Sequence, residues 1–203
     1  MSPAAREADA PDRRADIVLR SAELFDNHGY HATSVNDIAD AVGISKPTLY
    51  HYVKGKDEIL YWIHQEFSGW LIDRQQSRND VPMTNSQRIL ETMADIFELM
   101  DTRPGHVRTF FEHHRELPAE ARAEIGASRD RYFDMVRALI KAGIESGEIR
   151  PVDPTFATLA LFGVCNWAYQ WYRPTGPMPP RQIAYLMFDI LANGWSTRPE
   201  PTA

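Results

Sequence analysis

The sequence predicts an all-α protein of about nine helices, with a small N-terminal helix-turn-helix domain ahead of a larger helical bundle. Apolar residues recur at helical spacing along most of the chain, and no run alternates with period two for long enough to form a strand. Glycine and proline residues interrupt these patterns where helices have to end. The 203 residues, 43% of them hydrophobic and 25% charged, have the composition of an ordinary globular protein.

Composition excludes several classes of protein. The formal net charge of −6 excludes a uniformly basic nucleic-acid coat protein, although a DNA-binding protein needs only one cationic face. The lone cysteine, Cys165, excludes an intramolecular disulfide framework and a cysteine-rich zinc site. The most apolar stretch, residues 158–172, is shorter than the ~20 residues of a bilayer span, and the N-terminus lacks the apolar run of a signal peptide. We therefore expect a cytoplasmic protein with no membrane contact.

The N-terminal part predicts a disordered tail over residues 1–11 and a three-helix domain over residues 12–57. The tail is rich in alanine, proline and charged residues. From Asp12 onwards Ile17 and Leu24 fall at helical spacing, and Gly29 is placed to end the first helix.

Two short helices follow and complete the domain. Ser34 and Asp37 have the spacing of a capping box, and Gly43 ends that helix because glycine adopts positive φ at little cost. Ser45 is placed to cap the next helix, with Pro47 in its first turn, where a missing N–H matters least. Such a pair of helices joined by a tight turn is what a helix-turn-helix requires.

The second short helix offers side chains that suit phosphates and base edges, and none of them is acidic. These outward positions are Ser45, Lys46, Thr48, Tyr50 and His51. Helix pairs with a glycine turn also occur in proteins that never bind DNA, and acidic residues slightly outnumber basic ones in this domain. The spacing of these residues alone therefore does not decide whether the domain binds DNA.

The larger bundle is expected over residues 58–196, followed by a flexible tail at residues 197–203. Residues 79–85 form a polar linker, and residues 173–180 form a proline-rich connector. The predicted helices cover residues 57–76, 86–100, 105–114, 119–146, 154–172 and 181–195.

The bundle is rich in aromatic and methionine residues, which suit an adaptable apolar cavity but also ordinary core packing. Asn166 and Gln170 lie in an apolar stretch, where they fit either a hydrogen bond between helices or a ligand contact. His113 and His114 are adjacent and would point about 100° apart on a helix, so we expect no metal site. The candidate ligand-binding residues are Trp62, Met93, Phe97, Phe110, His114, Tyr132, Asn166, Trp167 and Gln170.

Three N-terminal segments resemble the DNA-binding domain of the TetR family of bacterial repressors. They are residues 22–30 (AELFDNHGY), 33–52 (TSVNDIADAVGISKPTLYHY) and 56–60 (KDEIL). The family is dimeric, uses the second short helix for recognition and holds its small-molecule site in the C-terminal bundle.

The resemblance implies roles for individual residues. Thr33 corresponds to a phosphate contact, and Tyr50 and His51 to residues that commonly reach the DNA backbone. Lys56 corresponds to a lysine whose helix N-terminus approaches a phosphate. Lys46 and Thr48 are the candidates for base edges. Two departures from the family pattern stand at Val53, where an aromatic residue is usual, and at Pro47, where a small residue is common.

The C-terminal half resembles a TetR branch that regulates fatty-acid, sterol and aromatic-acid degradation. Several members of this branch are released from DNA by acyl-CoA esters. Residues 143–151 (GIESGEIRP) and 163–177 (GVCNWAYQWYRPTGP) carry this resemblance. It implies a small-molecule effector, such as an acyl-CoA, and no other cofactor. Sterol-catabolism members carry an Arg and a Trp on this helix, whereas this chain has Phe162 and Asn166.

The last two helices are expected to form the homodimer interface, as in the family. Apolar residues recur at helical spacing along the last helix, and they cover more of its surface than on a helix that packs only against its own chain. Two-fold symmetry then predicts a near-palindromic DNA operator. The candidate interface residues are Trp171, Ile183, Leu186, Met187 and Ile190.

Function is therefore expected to be ligand-responsive transcriptional regulation, most simply repression. One alternative is a repressor of an efflux or stress gene that senses a drug-like apolar compound, and another is a helical binding module with a vestigial DNA-binding domain. An acyl-CoA-using enzyme is the remote alternative, because the chain lacks a glycine-rich phosphate loop, a Gly-x-Ser-x-Gly elbow and a metal constellation. We expect no catalytic residues.

Overall fold

A computed structural model of the chain describes residues 3–194, with side chains from residue 13 onwards. This part of the chain is α-helical and contains no strand, as the sequence predicts. Its helices are α1 (Pro3–His28), α2 (Val35–Val42), α3 (Lys46–Leu49), α4 (Lys56–Gln76), α5 (Asn85–Thr102), α6 (Pro104–Glu112), α7 (Ala119–Glu145), α8 (Pro154–Trp167) and α9 (Pro180–Asn193). Two short 3₁₀ turns cover His114–Glu116 and Ala168–Gln170. No described helix is long and apolar enough to cross a membrane.

Two helix ends differ from the sequence-based expectation. The first helix begins at Pro3, within the segment expected as a tail, where several alanines favour a helix. The eighth helix ends at Trp167, and a 3₁₀ turn continues the chain towards the proline-rich connector. The expected tail at residues 197–203 lies outside the described residues.

The caps of the helix-turn-helix are confirmed. The Asp37 N–H donates to Ser34 Oγ at 3.2 Å, and the Ser34 N–H donates to Asp37 Oδ2 at 2.7 Å, which closes the capping box of α2. Gly43 ends α2 with φ of 72°. Ser45 begins α3, since its Oγ accepts from the Thr48 N–H at 3.2 Å.

Packing divides the chain into two compact units that do not follow the sequence-based boundary at residues 57/58. The first unit combines the chain up to Asp73 with Thr102–Tyr132, and the second combines Arg74–Asp101 with the chain from Phe133 onwards. Within the first unit α6 crosses α1 so closely that a Cβ atom at Gly105 would lie 2.7 Å from the Ala22 carbonyl oxygen.

Each unit has its own apolar core. In the first unit Phe25, Ile38 and Leu49 are fully buried, which fixes α2 and α3 against α1. In the second unit Met93 and Cys165 are fully buried, and burial raises the pKa of the Cys165 thiol to about 12. The cysteine is thus an inert core residue.

Candidate functional site

The side chains of α3 that the sequence places outward are accessible in the structure. Ser45, Lys46, Tyr50 and His51 are exposed, and Thr48 is half-buried. The Lys46 and His51 side chains form no ion pair or hydrogen bond with any other described residue. The hydroxyl oxygens of Ser45 and Thr48 lie 2.7 Å apart, so one hydroxyl proton of this pair is donated within the cap. This helix can therefore offer an ammonium, an imidazole and a phenol to phosphates or base edges.

Lys56 holds the start of α4 against the turn between α1 and α2. Its Nζ donates to the carbonyl oxygens of Tyr30 at 2.6 Å and Thr33 at 2.7 Å, and lies 4.4 Å from the centre of the Tyr30 ring. Burial lowers the pKa of this ammonium. Any phosphate contact at this place would therefore use the free N–H groups at the start of α4 and not the side chain.

Thr33 is buried, and its hydroxyl donates to the Gly29 carbonyl oxygen at 2.9 Å. The hydroxyl thereby fixes the end of α1 to the start of α2. The phosphate contact implied for Thr33 stays a prediction, and it requires this hydroxyl to turn away from the carbonyl.

Several acidic groups of this domain are engaged in local hydrogen bonds. Asp37 closes the α2 capping box, where the Ser34 N–H lowers the pKa of its carboxyl. Glu58 accepts from the Lys54 N–H at 2.6 Å, and Asp57 accepts from the Tyr30 hydroxyl. These three carboxylates are therefore held within the domain, whereas Lys46 on α3 is exposed.

The candidate ligand-binding residues fall into both units. In the first unit Trp62, Phe110 and Tyr132 are buried and His114 is half-buried. The Arg14 guanidinium lies 4.2 Å from the centre of the Trp62 ring. Burial, followed by the charges of neighbouring arginines, lowers the pKa of His114.

An aromatic cluster surrounds Phe110 and includes residues that the sequence analysis did not select. The Phe110 ring centre lies 4.2 Å from that of Phe67, 5.3 Å from that of Phe111 and 5.2 Å from that of His64. His64 Nδ1 is 2.9 Å from the Leu60 carbonyl oxygen, and burial lowers the pKa of His64 to about 4. The spacing of His64 and Phe67 on α4 is the signal that could have found them.

In the second unit the remaining candidates differ widely in exposure. Met93 and Phe97 are fully buried on α5, and the Phe97 ring centre lies 6.2 Å from that of Trp171. Asn166 is half-buried, whereas Gln170 is exposed and Trp167 is 65% exposed. Asn166, Trp167 and Gln170 lie at or beyond the end of α8, and none of their side chains is buried. No three His, Cys, Asp or Glu side chains among the described residues form a group that could hold a metal ion.

A cleft of about 530 Å³ lies within the second unit, and none of the candidate ligand-binding residues lines it. Its walls come from the start of α5, the end of α7, residues 148–153, the start of α8 and the end of α9. Sequence patterns could not reveal it, because its lining residues come from five separate segments of the chain.

An apolar face is exposed along α8, the connector and α9. Of the candidate interface residues, Trp171, Leu186 and Ile190 are exposed, Met187 is half-buried, and Ile183 is buried within its own chain. An exposed apolar face of this extent marks an interaction surface. Its large exposed members are Phe156, Leu159, Trp167, Trp171, Met178, Tyr185, Leu186, Ile190 and Leu191.

Comparisons with known proteins agree with this geometry. Residues 17–61 match the bacterial regulatory proteins of the tetR family, and residues 82–195 match the tetracyclin repressor-like C-terminal domain. The TetR family regulator PfmR from Thermus thermophilus is 31% identical, with a TM-score of 0.83 over 89% of this chain and 99% of PfmR. AibR, solved in complex with isovaleryl coenzyme A and operator DNA, is 30% identical, with a TM-score of 0.78 over 89% of this chain and 98% of AibR.

A curated repressor gives the same result. KstR2 of Mycobacterium tuberculosis is 26% identical over 184 residues, which cover 90% of this chain and 92% of KstR2. Its solved structure has a TM-score of 0.82 with this chain. With both halves matched and the helix-turn-helix in place, the chain belongs to the TetR family of transcriptional regulators, which bind operator DNA as dimers.

Proposed function

We propose that this protein is a repressor that leaves a near-palindromic operator when it binds an acyl-CoA or a related catabolic intermediate. The observation that carries DNA binding is the accessible α3, with Lys46, Tyr50 and His51 exposed after an intact cap. The effector class is supported by AibR, which was solved with isovaleryl coenzyme A and operator DNA at 30% identity to this chain.

The DNA contacts follow from the side chains that α3 leaves available. Lys46 and Thr48 are proposed to contact base edges in the major groove, and Tyr50 and His51 the backbone on either side. The N-terminus of α4 supplies further N–H groups for a phosphate.

The response to the effector is proposed to start in the first unit, where the aromatic cluster around Phe110 belongs to α4 and α6. The sixth helix also touches α1, through Gly105 and through an ion pair of 2.5 Å between Arg108 and Asp26. A ligand that displaces α6 would therefore displace α1 and the helix-turn-helix attached to it. Release requires the ligand to bind the DNA-incompetent arrangement of the dimer more tightly than the competent one.

We further propose that the protein has no catalytic role and acts in the cytoplasm, where its DNA target lies. Turnover of an acyl-CoA by the purified protein would contradict the first statement.

The proposal is tested by selection of genomic fragments on the purified protein, followed by elution with acyl-CoA esters and sequencing. We expect retained fragments that share a near-palindrome and elute with an acyl-CoA but not with free CoA. Retention of random fragments alone contradicts the repressor proposal. Elution only by a planar cationic drug-like compound would contradict the acyl-CoA effector and support a drug-like effector instead.

A further inference from the structure

A buried, bidentate ion pair lies at the end of α4. Arg78, two residues beyond this helix, is 8% exposed, and Asp95 on α5 is 1% exposed. Arg78 Nη1 lies 2.5 Å from Asp95 Oδ2, and Arg78 Nη2 lies 2.7 Å from Asp95 Oδ1. Arg74 Nε lies 3.4 Å from Asp95 Oδ1 of the same carboxylate. Directed, charge-assisted contacts therefore fix the end of α4 to the middle of α5.

Neighbouring hydrogen bonds hold the same stretch of chain. The Thr92 hydroxyl donates to Gln75 Oε1 at 3.0 Å, and both residues are buried. Arg88 Nη2 donates to the carbonyl oxygens of Asn79 at 3.2 Å and Val81 at 3.0 Å, which lie in the linker after α4. The end of α4 and the linker that follows it are thus both bound to α5.

Glu91 extends these contacts from α5 to α9. Its carboxylate lies 3.6 Å from Arg78 Nη2 and also pairs with the guanidinium of Arg181, in the first turn of α9. The Arg181 side chain is 62% exposed, so this pair forms the accessible end of the network. One carboxylate therefore joins the end of α4 to the helix that carries most of the candidate dimer residues.

The chemistry of this network suits orientation more than stability. Removal of two charges from water costs free energy, and apolar residues of similar volume often stabilise a core equally well. A guanidinium that binds a carboxylate through two N–H groups, however, accepts only a narrow range of angles. A buried network of this kind can therefore fix the direction of a helix.

The direction of α4 is important because this long helix contributes to both units. Its residues up to Asp73 belong to the first unit, with the helix-turn-helix, and residues 74–76 belong to the second. Its 21 residues span about 30 Å. A rotation of α4 by about 10° around its last turn would move its first turn, at Lys56, by about 5 Å. This distance exceeds the ~3.4 Å between successive base pairs of DNA.

We infer that Arg78, Glu91 and Arg181 are positioning residues, which hold α4 in the direction that places the two DNA-binding domains of the dimer on successive half-sites. Glu91 is the shared group, since it binds one guanidinium at the end of α4 and another on α9. The inference rests on the dimeric operator binding of the family and does not depend on the proposed effector.

Pulsed dipolar spectroscopy of the full-length dimer tests this role. A spin label on Ala41→Cys, at an exposed position of α2, reports the distance between the two DNA-binding domains, and the fully buried Cys165 does not take up the label. Arg181→Ala should broaden the distribution of distances between the labels by about 5 Å, because Glu91 loses its partner on α9. Arg181→Lys keeps the charge and should restore the narrow distribution.

Two further variants separate positioning from stability. Arg137→Ala removes a 3.0 Å ion pair with Asp134 on the exposed side of α7, and it should leave the distribution unchanged. The double variant Arg78→Met with Asp95→Val replaces the buried pair by apolar side chains. It should unfold at a similar temperature but show broadened distances. A merely structural pair would instead lower the unfolding temperature and leave the distances in the folded dimer unchanged.

The inference is overturned if Arg181→Ala keeps the narrow distribution, or if Arg137→Ala broadens it equally. It is also overturned if Arg181→Ala is monomeric, because Arg181 would then act in the dimer contact itself. If the double variant does not fold, the comparison of Arg181→Ala with Arg137→Ala still decides. The distances are measured without DNA or acyl-CoA, so failure of the repressor proposal would not affect the result.

Discussion

At the scale of single residues, some polar groups of the helix-turn-helix already form hydrogen bonds within the domain and others form none. Ser45 and Thr48 are tied to each other at the start of α3, and Thr33 and Lys56 bond to backbone carbonyls. Lys46 and His51 have no such partner among the described residues. The free groups are therefore concentrated on α3.

Lys46 gives the most direct residue-scale prediction. Lys46→Ala should weaken operator binding and reduce the slope of log affinity against log salt by about one, because one phosphate or base contact with its counterion release is lost. Lys141→Ala, on the exposed side of α7, is the control and should change neither quantity. An unchanged slope in Lys46→Ala, measured by anisotropy across a salt series, would place the contact elsewhere.

His64 predicts how stability depends on pH. Its folded pKa of about 4 lies below the ~6.5 of an unfolded histidine, so the unfolded state binds more protons between these values. Its contribution is therefore present above pH ~6.5 and lost as the pH falls towards 4, by up to about 3 kcal/mol. Urea unfolding at several pH values should show a shallower decline for His64→Leu than for the unchanged protein. Equal declines would contradict the assignment to His64.

Sequence reasoning predicted the outward residues of α3 because they follow a recognisable cap. It could not predict the bonds of Lys56 to the Tyr30 and Thr33 carbonyl oxygens, since these depend on the tertiary contact between the turn after α1 and the start of α4. It also missed His64, whose burial follows from α4 packing on α6 and not from a motif.

At the scale of elements, the crossing of α1 and α6 is the contact that joins the helix-turn-helix to the rest of the first unit. The missing side chain of Gly105 permits this approach, and a Cβ atom there would meet backbone atoms that have no freedom to turn away. The sequence indicated a helix start at this glycine but not the close approach.

Gly105→Ala tests this crossing. We expect the free energy of unfolding to fall by about 1–3 kcal/mol, because an extra methyl group forces the two helices apart. Gly126→Ala is the matched control on α7, where an added Cβ meets no atom within 4 Å and should stabilise the helix by about 0.5–1 kcal/mol. Equal stability changes in the two variants would show that the crossing tolerates separation.

Helix boundaries were predictable where side-chain caps define them, as at Ser34 and Ser45. They were wrong where no such cap exists: α1 begins at Pro3 instead of near Asp12, and α8 ends at Trp167 instead of continuing to Tyr172. The Tyr172 hydroxyl donates to Asp101 Oδ1 at 2.7 Å, a tertiary contact that no local pattern contains.

At the scale of the whole molecule, we propose that the apolar face of α8 and α9 packs against a second copy of the chain. Leu186→Glu places a carboxylate in this face and should produce a monomer with much weaker operator binding, because a dimer binds two half-sites at once. Val81→Glu, at an exposed apolar residue outside this face, should remain dimeric. Light scattering after size exclusion distinguishes the states, and a dimeric Leu186→Glu would move the interface away from α9.

The fold class of the molecule was predictable from the sequence, but its packing was predictable only in part. Helical periodicity and the two resemblances indicated an all-α regulator with an N-terminal helix-turn-helix. The compact units instead combine distant segments, because α6 packs on α1 across a long interval of sequence. The cleft beside Arg150 was invisible for the same reason, since five separate segments form it.

The central claim is that this dimer binds its operator through α3 and leaves it when an acyl-CoA binds. The most direct measurement is fluorescence anisotropy of labelled DNA from upstream of its own gene, or from the genomic selection, titrated with the protein and then with isovaleryl-CoA and longer acyl-CoA esters. We predict saturable binding that random DNA does not compete, followed by loss of anisotropy with an acyl-CoA but not with free CoA. Specific binding that no acyl-CoA reverses would contradict the effector class, and absence of specific binding to either DNA would contradict the repressor.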